Sequence, residues 1–402
     1  MKSFQILDSC VACSSKDLFQ TLNLGEQPLA NNYSDEIKCQ ETYPLALNTC
    51  RDCFHSQLSV AVSPSLLFSN YLYVSGTSIT LKNYFLDLKD FILNRYGSNG
   101  KLLDVGSNDG TFLRVFEDSN WKLLGVDPAI NLVSEASKKG VLSLASFFDL
   151  KLTEFLAKDF DIIVAMNVFA HTSNPLDMLL AMKSILHDNG SLLIQTSQAN
   201  MIDGYQFDTI YHEHISFFNV KSMTSLLARA GLFLQDVRIA DIHGGSYLWI
   251  IGKEAKQVKK FLREKYEEDL GLFNVSTYSN FAATCSDIKD FFKSSVSKHR
   301  TLGFQIAVYG SAAKGNTFLN YSKIEVDYIF DDTPQKIGKY SPVQDKLVRN
   351  PDELRTLDAP CLFIIPAWNF RNEILNKLRV LRTNSRDDKY LLYYPQFEID
   401  SL

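Results

Sequence analysis

The stretch "KLLDVGSNDG" at residues 101–110 decides the fold, because an apolar run ends there in a glycine turn just before a helical pattern. Such a turn lets a ligand touch the backbone, and the following helix N-terminus favours negative charge. Further apolar runs follow at "WKLLGVDP", "GVLSLASFF", "FDIIVAMNVFAH" and "GSLLIQTSQ", with helical patterns such as "LDMLLAMKSIL" between them. This alternation predicts an α/β fold with a doubly wound, mostly parallel sheet.

The chemistry of the turn indicates which ligand it would take. It reads G-S-N-D-G from Gly106 to Gly110, not G-x-G-x-x-G, so a dinucleotide is not the first choice. Asp109 would repel a pyrophosphate and would suit a cationic or hydroxyl-bearing ligand, and S-adenosylmethionine is such a ligand. Asp127 ends the second strand, where an acidic side chain can accept both ribose hydroxyls. With Asp104, these residues predict a Rossmann-like S-adenosylmethionine site; a glycine turn that only shapes the loop is the alternative.

Four of the seven cysteines form two C-x2-C pairs, which are Cys10, Cys13, Cys50 and Cys53. Each pair can place two thiolates on one side of a tight turn, and two turns make a tetrahedral zinc site without an open position. The spacer, residues 14 to 49, is longer than the about 15–20 residues usual in zinc ribbons. We expect a structural zinc ion. Buried thiols or a redox pair are the alternatives, and Cys39 and His55 are possible substitute ligands.

Composition limits the class of protein. The chain has 402 residues, 46% of them hydrophobic, and a net charge of −5. These values predict two or three globular domains and no basic face for a nucleic acid. The start "MKSFQILDSC" has no apolar leader, and no run approaches the roughly 18 apolar residues of a membrane span. We expect a cytoplasmic protein that binds no membrane and is a monomer or a weak homodimer.

The predicted domains are a zinc-binding domain at residues 1–75, an S-adenosylmethionine-binding α/β domain at 76–252 and a C-terminal Rossmann-like domain at 253–402. Residues 1–75 show little hydrophobic periodicity, as expected of a small domain whose fold is stabilised by a metal ion. The segment "TLKNYFLDLKDFILNRYG" has helical apolar spacing and ends at Gly97. Charged helical segments from about residue 253 to 300 predict a solvated helical linker.

Residues 208–218, "DTIYHEHISFF", set Tyr211, His212, Glu213 and His214 side by side. A metal site, an acid–base centre and a polar turn would all fit these residue types. H-E-H lacks the i, i+4 histidine pair of H-E-x-x-H, which argues against a zincin-type metal site. In an extended strand alternate side chains point to opposite faces, so Glu213 and His214 share one pocket only if the segment is a turn.

The order of several motifs resembles one family. The double C-x2-C, "YLYVSGTS", "DVGSNDGTFL", "NVFAHTSNP", "YHEHISFF", "HGGS" and "YGSAAKGNTFLNY" follow one another as in the three-domain, zinc-containing sugar C-methyltransferases. Members of this family transfer a methyl group from S-adenosylmethionine to C3 of a nucleotide-linked 4-keto-deoxysugar. The resemblance covers nearly the whole chain, and it implies a nucleotide-diphosphate sugar as the substrate.

The resemblance also implies catalytic roles. A C–H bond beside a ketone needs a general base and donors aimed at the developing enolate oxygen. By motif position, His214 is expected to be the base and Glu213 to orient or tune it. Tyr211 and His171 are expected to support the enolate or shuttle the proton. His212 is expected to be structural.

The cofactor and substrate contacts follow from the same motifs. Phe148 follows the third strand, where the family has its adenine pocket, although it could equally be a core residue. The expected cofactor contacts are Gly106, Asn108, Asp109, Gly110, Asp127, Pro128, Phe148 and Asn167. The expected substrate contacts are Tyr71, Tyr73, Ser75, Gly244 and Lys314.

The chain departs from the family pattern at two places. Phe54 follows the second cysteine pair where glycine is common, and the strand after "HGGS" reads "YLWI" where an arginine is expected. The segment "GSAAKGNT" lacks the G-K-[ST] ending of a P-loop. The competing hypotheses are an O- or N-methyltransferase acting on a sugar or another small metabolite, an RNA methyltransferase, and a binding protein without catalysis.

Overall fold

The structure is a computed structural model that describes residues 3–69, 74–77, 79–197, 199–240, 242, 244–255, 261–383, 387–394 and 396–402. Two compact units divide the chain. The first contains Met1–Phe19, Asn48–Asn200 and Glu213–Asn274, and the second contains Gln20–Leu47, Met201–His212 and Val275–Leu402. The units cut across the three expected domains, whose boundaries stay a prediction.

The strands follow one another along both units. In chain order they are β1 Phe4–Ile6, β2 Leu18–Pro28, β3 Thr42–Cys50, β4 Ser56–Leu58, β5 Val60–Val62, β6 Asn99–Val105, β7 Asn120–Asp127, β8 Ser143–Ala145, β9 Phe160–Met166, β10 Leu186–Ser197, β11 Ser216–Phe217, β12 Phe233–Ala240, β13 Ser246–Gly252, β14 Gln305–Tyr309, β15 Tyr328–Phe330, β16 Val348–Arg349, β17 Cys361–Ile364, β18 Lys389–Leu392 and β19 Glu398–Ser401.

The helices lie between these strands. In chain order they are α1 Pro64–Phe68, α2 Ile79–Tyr96, α3 Thr111–Arg114, α4 Ile130–Lys138, α5 Leu150–Thr153, α6 Pro175–Ile185, α7 Val220–Ala230, α8 Leu262–Asp269, α9 Val275–Thr301, α10 Ala313–Ser322 and α11 Arg371–Leu381. Short 3-10 turns occur at Ser75–Thr77, Phe169–His171, Ala199–Ile202, Phe207–Thr209, Pro351–Thr356 and Trp368–Phe370.

The first unit is built on a seven-stranded sheet with the order β12-β13-β10-β9-β6-β7-β8. The strands from β10 to β8 are parallel, and β13 runs antiparallel to both of its neighbours. Its central strands are continuous apolar runs because one hydrophobic cluster covers each face. This sheet confirms the expected Rossmann-like methyltransferase fold.

Helix α2 shows how the sequence pattern becomes packing. The apolar spacing predicts a helix that ends at Gly97, and the helix ends at Tyr96 with Gly97 at φ +96°. Leu81, Phe85, Leu88 and Ile92 recur at helical spacing and are buried on one face.

The N-terminal segment contains more strand than its weak periodicity indicates. β1 pairs with β5 and β4 pairs with β11, both antiparallel. Strands β2 and β3 are 11 and 9 residues long. Pairing between distant strands has no local signal in the sequence, which explains why these elements are not predicted.

The second unit contains a six-stranded sheet with the order β16-β15-β14-β17-β18-β19, in which only β19 is antiparallel to its neighbour. When the strands of this sheet alone are numbered along the chain, the order is 3-2-1-4-5-6, as in doubly wound nucleotide-binding folds. The prediction of a solvated linker is wrong for α9, because this helix buries Tyr278, Phe281, Cys285 and Phe292 on one face.

Candidate active site

The first glycine turn follows β6 at the carboxyl edge of the seven-stranded sheet. Gly106, Asn108 and Gly110 have φ values of +77°, +51° and +75°, so the chain reverses sharply before α3. A Cβ on Gly106 would lie 2.9 Å from Val168, which makes glycine necessary for the close approach of the two segments. The strand–turn–helix order predicted for a ligand site is therefore present.

Two buried aspartates flank this turn. Asp127 accepts hydrogen bonds from the backbone N–H groups of Asn108 and Ala129, both at 2.9 Å. Burial raises the pKa of Asp127 despite these donors. Burial and the nearby charge of Asp127 raise the pKa of Asp104 to about 8. Each carboxylate oxygen has two lone pairs, so Asp127 retains acceptor capacity for the ribose hydroxyls of a nucleoside.

Asp109 is held within the protein. Its Oδ1 accepts from the Thr111 hydroxyl at 2.7 Å, and its Oδ2 pairs with the Lys139 ammonium at 2.5 Å. Burial alone would raise the pKa of Asp109, but Lys139 and Thr111 lower it below its ordinary value. The geometry thus favours a structural role for Asp109 over the expected contact with a cationic ligand.

The segment at Ser75–Thr77 lies against the same turn. The backbone N–H of Ser75 donates to Asn108 Oδ1 at 3.0 Å. A Cβ on Gly76 would come within 2.6 Å of Asp109 Oδ2, so a side chain at this position would have to displace that carboxylate. Ser75, an expected substrate contact, and Asn108, an expected cofactor contact, are therefore hydrogen-bonded neighbours.

The other expected cofactor contacts lie at the same edge of the sheet. Asn167 directly follows β9 in a left-handed conformation, with φ +57°, and its backbone N–H donates to the carbonyl of Gln195 at 3.1 Å. Pro128 is partly exposed at the end of β7. Phe148 packs against the core cluster, which keeps its alternative role as a core residue open.

A stack of three aromatic rings lies in the first unit. The rings of His171 and His214 are 5.3 Å apart and inclined by 20°, and Phe68 stacks on His171 at 5.6 Å. Phe217 meets His214 edge-on at 6.3 Å. Burial lowers the pKa of His171 to about 4, so this imidazole is neutral at pH 7. The structure thus brings together two histidines that are 43 positions apart in sequence (214 − 171).

The "YHEH" segment forms a turn followed by β11, not an extended strand. A turn removes the alternation that would point Glu213 and His214 to opposite faces. Glu213 is buried and His214 is partly buried, both in the first unit. Tyr211 and His212 belong to the second unit, where the buried His212 ring meets Tyr43 edge-on at 5.8 Å. The structural role of His212 stays a prediction.

The expected substrate contacts are only partly described. Tyr71 and Tyr73 lie outside the described residues. Gly244 is exposed, with φ +88°, at a turn before β13. Lys314 belongs to the second unit, and its ammonium lies 5.0 Å from the centroid of the Trp368 ring.

The second glycine turn follows β14 at Gly310, with φ +102°. The backbone N–H of Ser311 donates to Asp331 at 2.7 Å, as Asn108 does to Asp127 in the first unit. The Ser311 carbonyl accepts from the Lys336 ammonium at 2.7 Å and from the Tyr33 hydroxyl. The chain's own side chains therefore satisfy this turn.

The four paired cysteines form a second centre in the first unit. The sulfur atoms of Cys10 and Cys53 are 3.5 Å apart, those of Cys13 and Cys50 are 3.6 Å apart, and all four sulfurs lie within 4.8 Å of one another. A tetrahedral site with Zn–S bonds of about 2.3 Å places its sulfurs about 3.8 Å apart. The cluster therefore fits a structural zinc ion, which would hold the fold and has no open position for catalysis.

Matching backbone geometry builds the two cysteine turns. Ser14 donates its N–H to the Cys10 carbonyl and Phe54 donates to the Cys50 carbonyl, at 2.8 and 3.0 Å. Both residues are left-handed, with φ +69° and +55°. Phe54 thus occupies the conformation that glycine adopts most easily, which explains why glycine is common there. Its carbonyl accepts from the Asn219 amide at 2.7 Å.

The zinc site has four cysteine ligands without the two possible substitutes, His55 and Cys39. His55 Nε2 lies 3.3 Å from the Ser216 hydroxyl, and the His55 ring packs at 4.6 Å from the Phe218 ring. Cys39 is exposed and belongs to the second unit. Neither residue belongs to the cysteine cluster found among the described residues.

Family models match three successive parts of the chain. A zinc binding domain matches residues 10–68, a methyltransferase domain matches 80–237 and a C-methyltransferase C-terminal domain matches 241–395. Together, the sheet, the glycine turn and the cysteine cluster define an S-adenosylmethionine-dependent methyltransferase with a structural zinc site. The chain belongs to the three-domain, zinc-containing family of S-adenosylmethionine-dependent C-methyltransferases.

Individual proteins show similarity over different lengths. The C-methyltransferase NovU of Streptomyces niveus is 28% identical over 386 residues, which cover 92% of each chain. A tRNA U34 carboxymethyltransferase of Dichelobacter nodosus is 29% identical over 143 residues, 33% of this chain and 43% of that protein. The TehB-like S-adenosylmethionine-dependent methyltransferase from Corynebacterium glutamicum has 15% identity and a TM-score of 0.33, covering 42% of this chain and 87% of that one.

Two features of the site have no signal in the sequence. Lys139 pairs with Asp109 across 30 positions, and Phe68 stacks on His171 across more than 100. A lysine near a helix end and a phenylalanine in an apolar segment are ordinary residues until the fold brings them to the site. In the described part of the chain, no helix is both long and apolar enough to cross a membrane.

Proposed function

We propose that this C-methyltransferase acts on C3 of a nucleotide-diphospho-4-keto-6-deoxysugar. The observation that carries the proposal is the stacked pair of His171 and His214, with buried Glu213 next to His214 in the chain. Methyl transfer to carbon beside a ketone requires a base, whereas the sulfonium leaving group requires no metal. The motif order of the chain resembles that of sugar C-methyltransferases, which supports a nucleotide sugar as acceptor.

The reaction has two steps. His214 takes the C3 proton, and the electron pair of the C–H bond forms a C3–C4 double bond while the ketone oxygen becomes an enolate. The enolate C3 then forms a bond to the methyl carbon as the S–CH3 bond breaks, and its electron pair stays on sulfur. S-adenosylmethionine, when bound, supplies this electrophilic methyl group, and the products are the C3-methylated ketone and S-adenosylhomocysteine.

The surroundings of His214 fit the role of a base. A positive neighbour would disfavour protonation of His214, but the low pKa of His171, about 4, keeps the stacked ring neutral across the working pH range. Glu213 would orient His214 or stabilise its protonated form. His171 and Tyr211 would support the enolate oxygen or relay the proton.

The cofactor site would be the first glycine turn. Asp127 would accept the ribose hydroxyls, with Gly106, Asn108 and Gly110 lining the ligand. Pro128, Phe148 and Asn167 would complete the cofactor contacts, and Asp109 would hold the turn through Lys139. Ser75, Gly244, Lys314, Tyr71 and Tyr73 remain the proposed contacts of the nucleotide sugar.

The test is transfer of labelled methyl from S-adenosylmethionine to thymidine-diphospho-4-keto-6-deoxyglucose, with the methylated atom assigned by NMR. We expect a new C–CH3 group at C3. A methyl group on oxygen would contradict the proposal and would favour an O-methyltransferase. The control variant is His187→Ala, a partly exposed histidine of the same unit that is expected to retain full transfer.

A further inference from the structure

Gln195 in β10 is a fully buried polar residue that none of the motifs identifies. Its exposed fraction is 0%, and its side-chain Oε1 and Nε2 have no hydrogen-bond partner within the part of the chain that the structure describes. A buried amide without hydrogen-bond partners has lost its hydration without forming protein hydrogen bonds, which destabilises the folded state. Such groups are rare and need an explanation. A ligand that binds the amide is one such explanation.

Strand register fixes the direction of the Gln195 side chain. Gln195 lies opposite Met166 of β9 and Leu248 of β13, and residues directly opposite in a sheet share a face. Leu248 belongs to the cluster on the α2 side of the sheet, and Met166 packs against it. The amide therefore faces the same side as Asp104, whose register partner Val164 is in that cluster.

Gln195 also lies at the functional end of the sheet. Its carbonyl accepts from the backbone N–H of Asn167, the first residue after β9, so it stands level with the carboxyl end of that strand. β10 is two strands from β6, which places it roughly 10 Å from the glycine turn in the direction across the strands. Asp127 on β7, which would hold the ribose, is one strand further away.

We infer that the Gln195 amide binds the methyl acceptor and not the nucleoside part of the cofactor. The inference rests on the proposed function, because it assumes an acceptor rich in oxygen. A primary amide offers two donors and a carbonyl acceptor, which complement a ketone and an adjacent hydroxyl of a sugar ring.

Gln57 provides a matched control within the same unit. It is also fully buried, but its Oε1 accepts from the Val11 N–H at 2.9 Å and its Nε2 donates to the Ser9 carbonyl at 3.0 Å. The same substitution to methionine keeps the length of both side chains and removes the amide. It breaks two hydrogen bonds at Gln57 and, by our account, none in the ligand-free protein at Gln195.

The first measurement is thermal unfolding of the ligand-free, zinc-loaded protein. Gln57→Met is expected to lower the midpoint by roughly 2–8 °C, and Gln195→Met to leave it unchanged or raise it. An equal fall for both variants would overturn the inference, because it would show that the Gln195 amide is paired within the protein. This measurement needs no acceptor and so does not depend on the proposed function.

The second measurement separates the possible ligands. With Gln195→Met, kcat/KM for thymidine-diphospho-4-keto-6-deoxyglucose is expected to fall by about 10- to 100-fold, with the calorimetric Kd of S-adenosylhomocysteine within about twofold of wild type. An unchanged kcat/KM would overturn the inference and assign the amide to water. A tenfold weaker S-adenosylhomocysteine with an unchanged acceptor KM would overturn it in favour of the cofactor. If the wild-type enzyme does not methylate this sugar, the proposed function fails, and an equal thermal fall for both variants would still overturn the inference independently.

Discussion

The two glycine turns, at residues 106–110 and 310–315, occupy the same position in two sheets, yet their charges are balanced differently. In each, an aspartate from the neighbouring strand accepts the N–H of a turn residue. Asp127 has a raised pKa and a second buried carboxyl group, Asp104, beside it. Asp331 is paired with Lys336, which lowers its pKa against the effect of burial.

This difference shows that a glycine turn after a strand does not by itself define a ligand site. The second turn satisfies its polar groups with Lys336 and Tyr33 of its own chain, so a ligand would have to displace them. The first turn keeps two buried carboxyl groups that form no salt bridge among the described residues, and Asp127 retains lone pairs beyond its two backbone N–H donors, so positive charge and further donors can be added. A ligand with hydroxyl donors and positive charge, such as S-adenosylmethionine, would supply both.

The largest effect is expected at the histidine stack near the first turn. His214→Ala should lower kcat for methyl transfer by about 10²- to 10⁴-fold, because the base that removes the C3 proton is lost. The Kd of S-adenosylhomocysteine should stay unchanged, since the cofactor is bound elsewhere. Single-turnover kinetics and calorimetry measure the two quantities. A loss of less than threefold in kcat would exclude His214 as the base.

The next largest effect is expected on cofactor binding, where Asp127 and Asp331 should differ. Asp127→Asn should weaken S-adenosylhomocysteine about 10- to 100-fold, because a charged acceptor of hydroxyl donors is lost and an amide NH2 would face a backbone N–H. Asp331→Asn should leave this Kd within about twofold. Isothermal titration calorimetry measures both variants. Equal weakening of S-adenosylhomocysteine binding by the two variants would contradict the assignment of the cofactor site to the first glycine turn.

A smaller effect, on the free energy of unfolding, is expected at Tyr33, which contacts the second glycine turn. The Tyr33 hydroxyl contacts Ser311 and accepts from the Asn316 amide at 3.0 Å, and the side chain is partly buried. Tyr33→Phe should lower the free energy of unfolding by about 1–3 kcal/mol. Urea denaturation measures this change, with the exposed Tyr205→Phe as a control that should shift by less than about 0.5 kcal/mol. No loss with Tyr33→Phe would show that the hydroxyl does not stabilise the turn.

The smallest effect concerns pH. The pKa of Asp104 is about 8 in the folded protein, against an ordinary value of about 3.9 in the unfolded chain. Between these values the folded state holds a proton that the unfolded state has released, so stability falls as the pH rises. Between pH 6 and 7, Asp104→Asn should reduce this fall by about 1 kcal/mol in urea denaturation. Asp331 should change stability in the opposite direction. Its pKa is lower in the folded protein than in the unfolded chain, so its contribution to stability is lost as the pH falls below the ordinary pKa of an aspartate. An Asp104→Asn protein with the wild-type slope would contradict the raised pKa.

The sequence predicts those features that depend on neighbours along the chain. The glycine turn, the α2 helix and the two cysteine pairs follow from short patterns with a direct physical reason. Features that depend on distant partners are not predicted. Strands β2 and β3 lie in a segment with little periodicity, α9 buries one face although its sequence is rich in charged residues, and Lys139 pairs with Asp109 from the end of α4. Whether a polar residue binds a ligand or a neighbour is decided by tertiary contacts.

Hydrogen exchange at C3 without methyl transfer tests most directly whether His214 removes the C3 proton to form the enolate. Thymidine-diphospho-4-keto-6-deoxyglucose would be incubated in heavy water with the enzyme and S-adenosylhomocysteine, and deuterium at C3 followed by NMR. We expect exchange with wild type and none above background with His214→Ala. Methyl transfer to the sugar by wild type without any C3 exchange, or exchange that persists in His214→Ala, would contradict an enolate formed by His214.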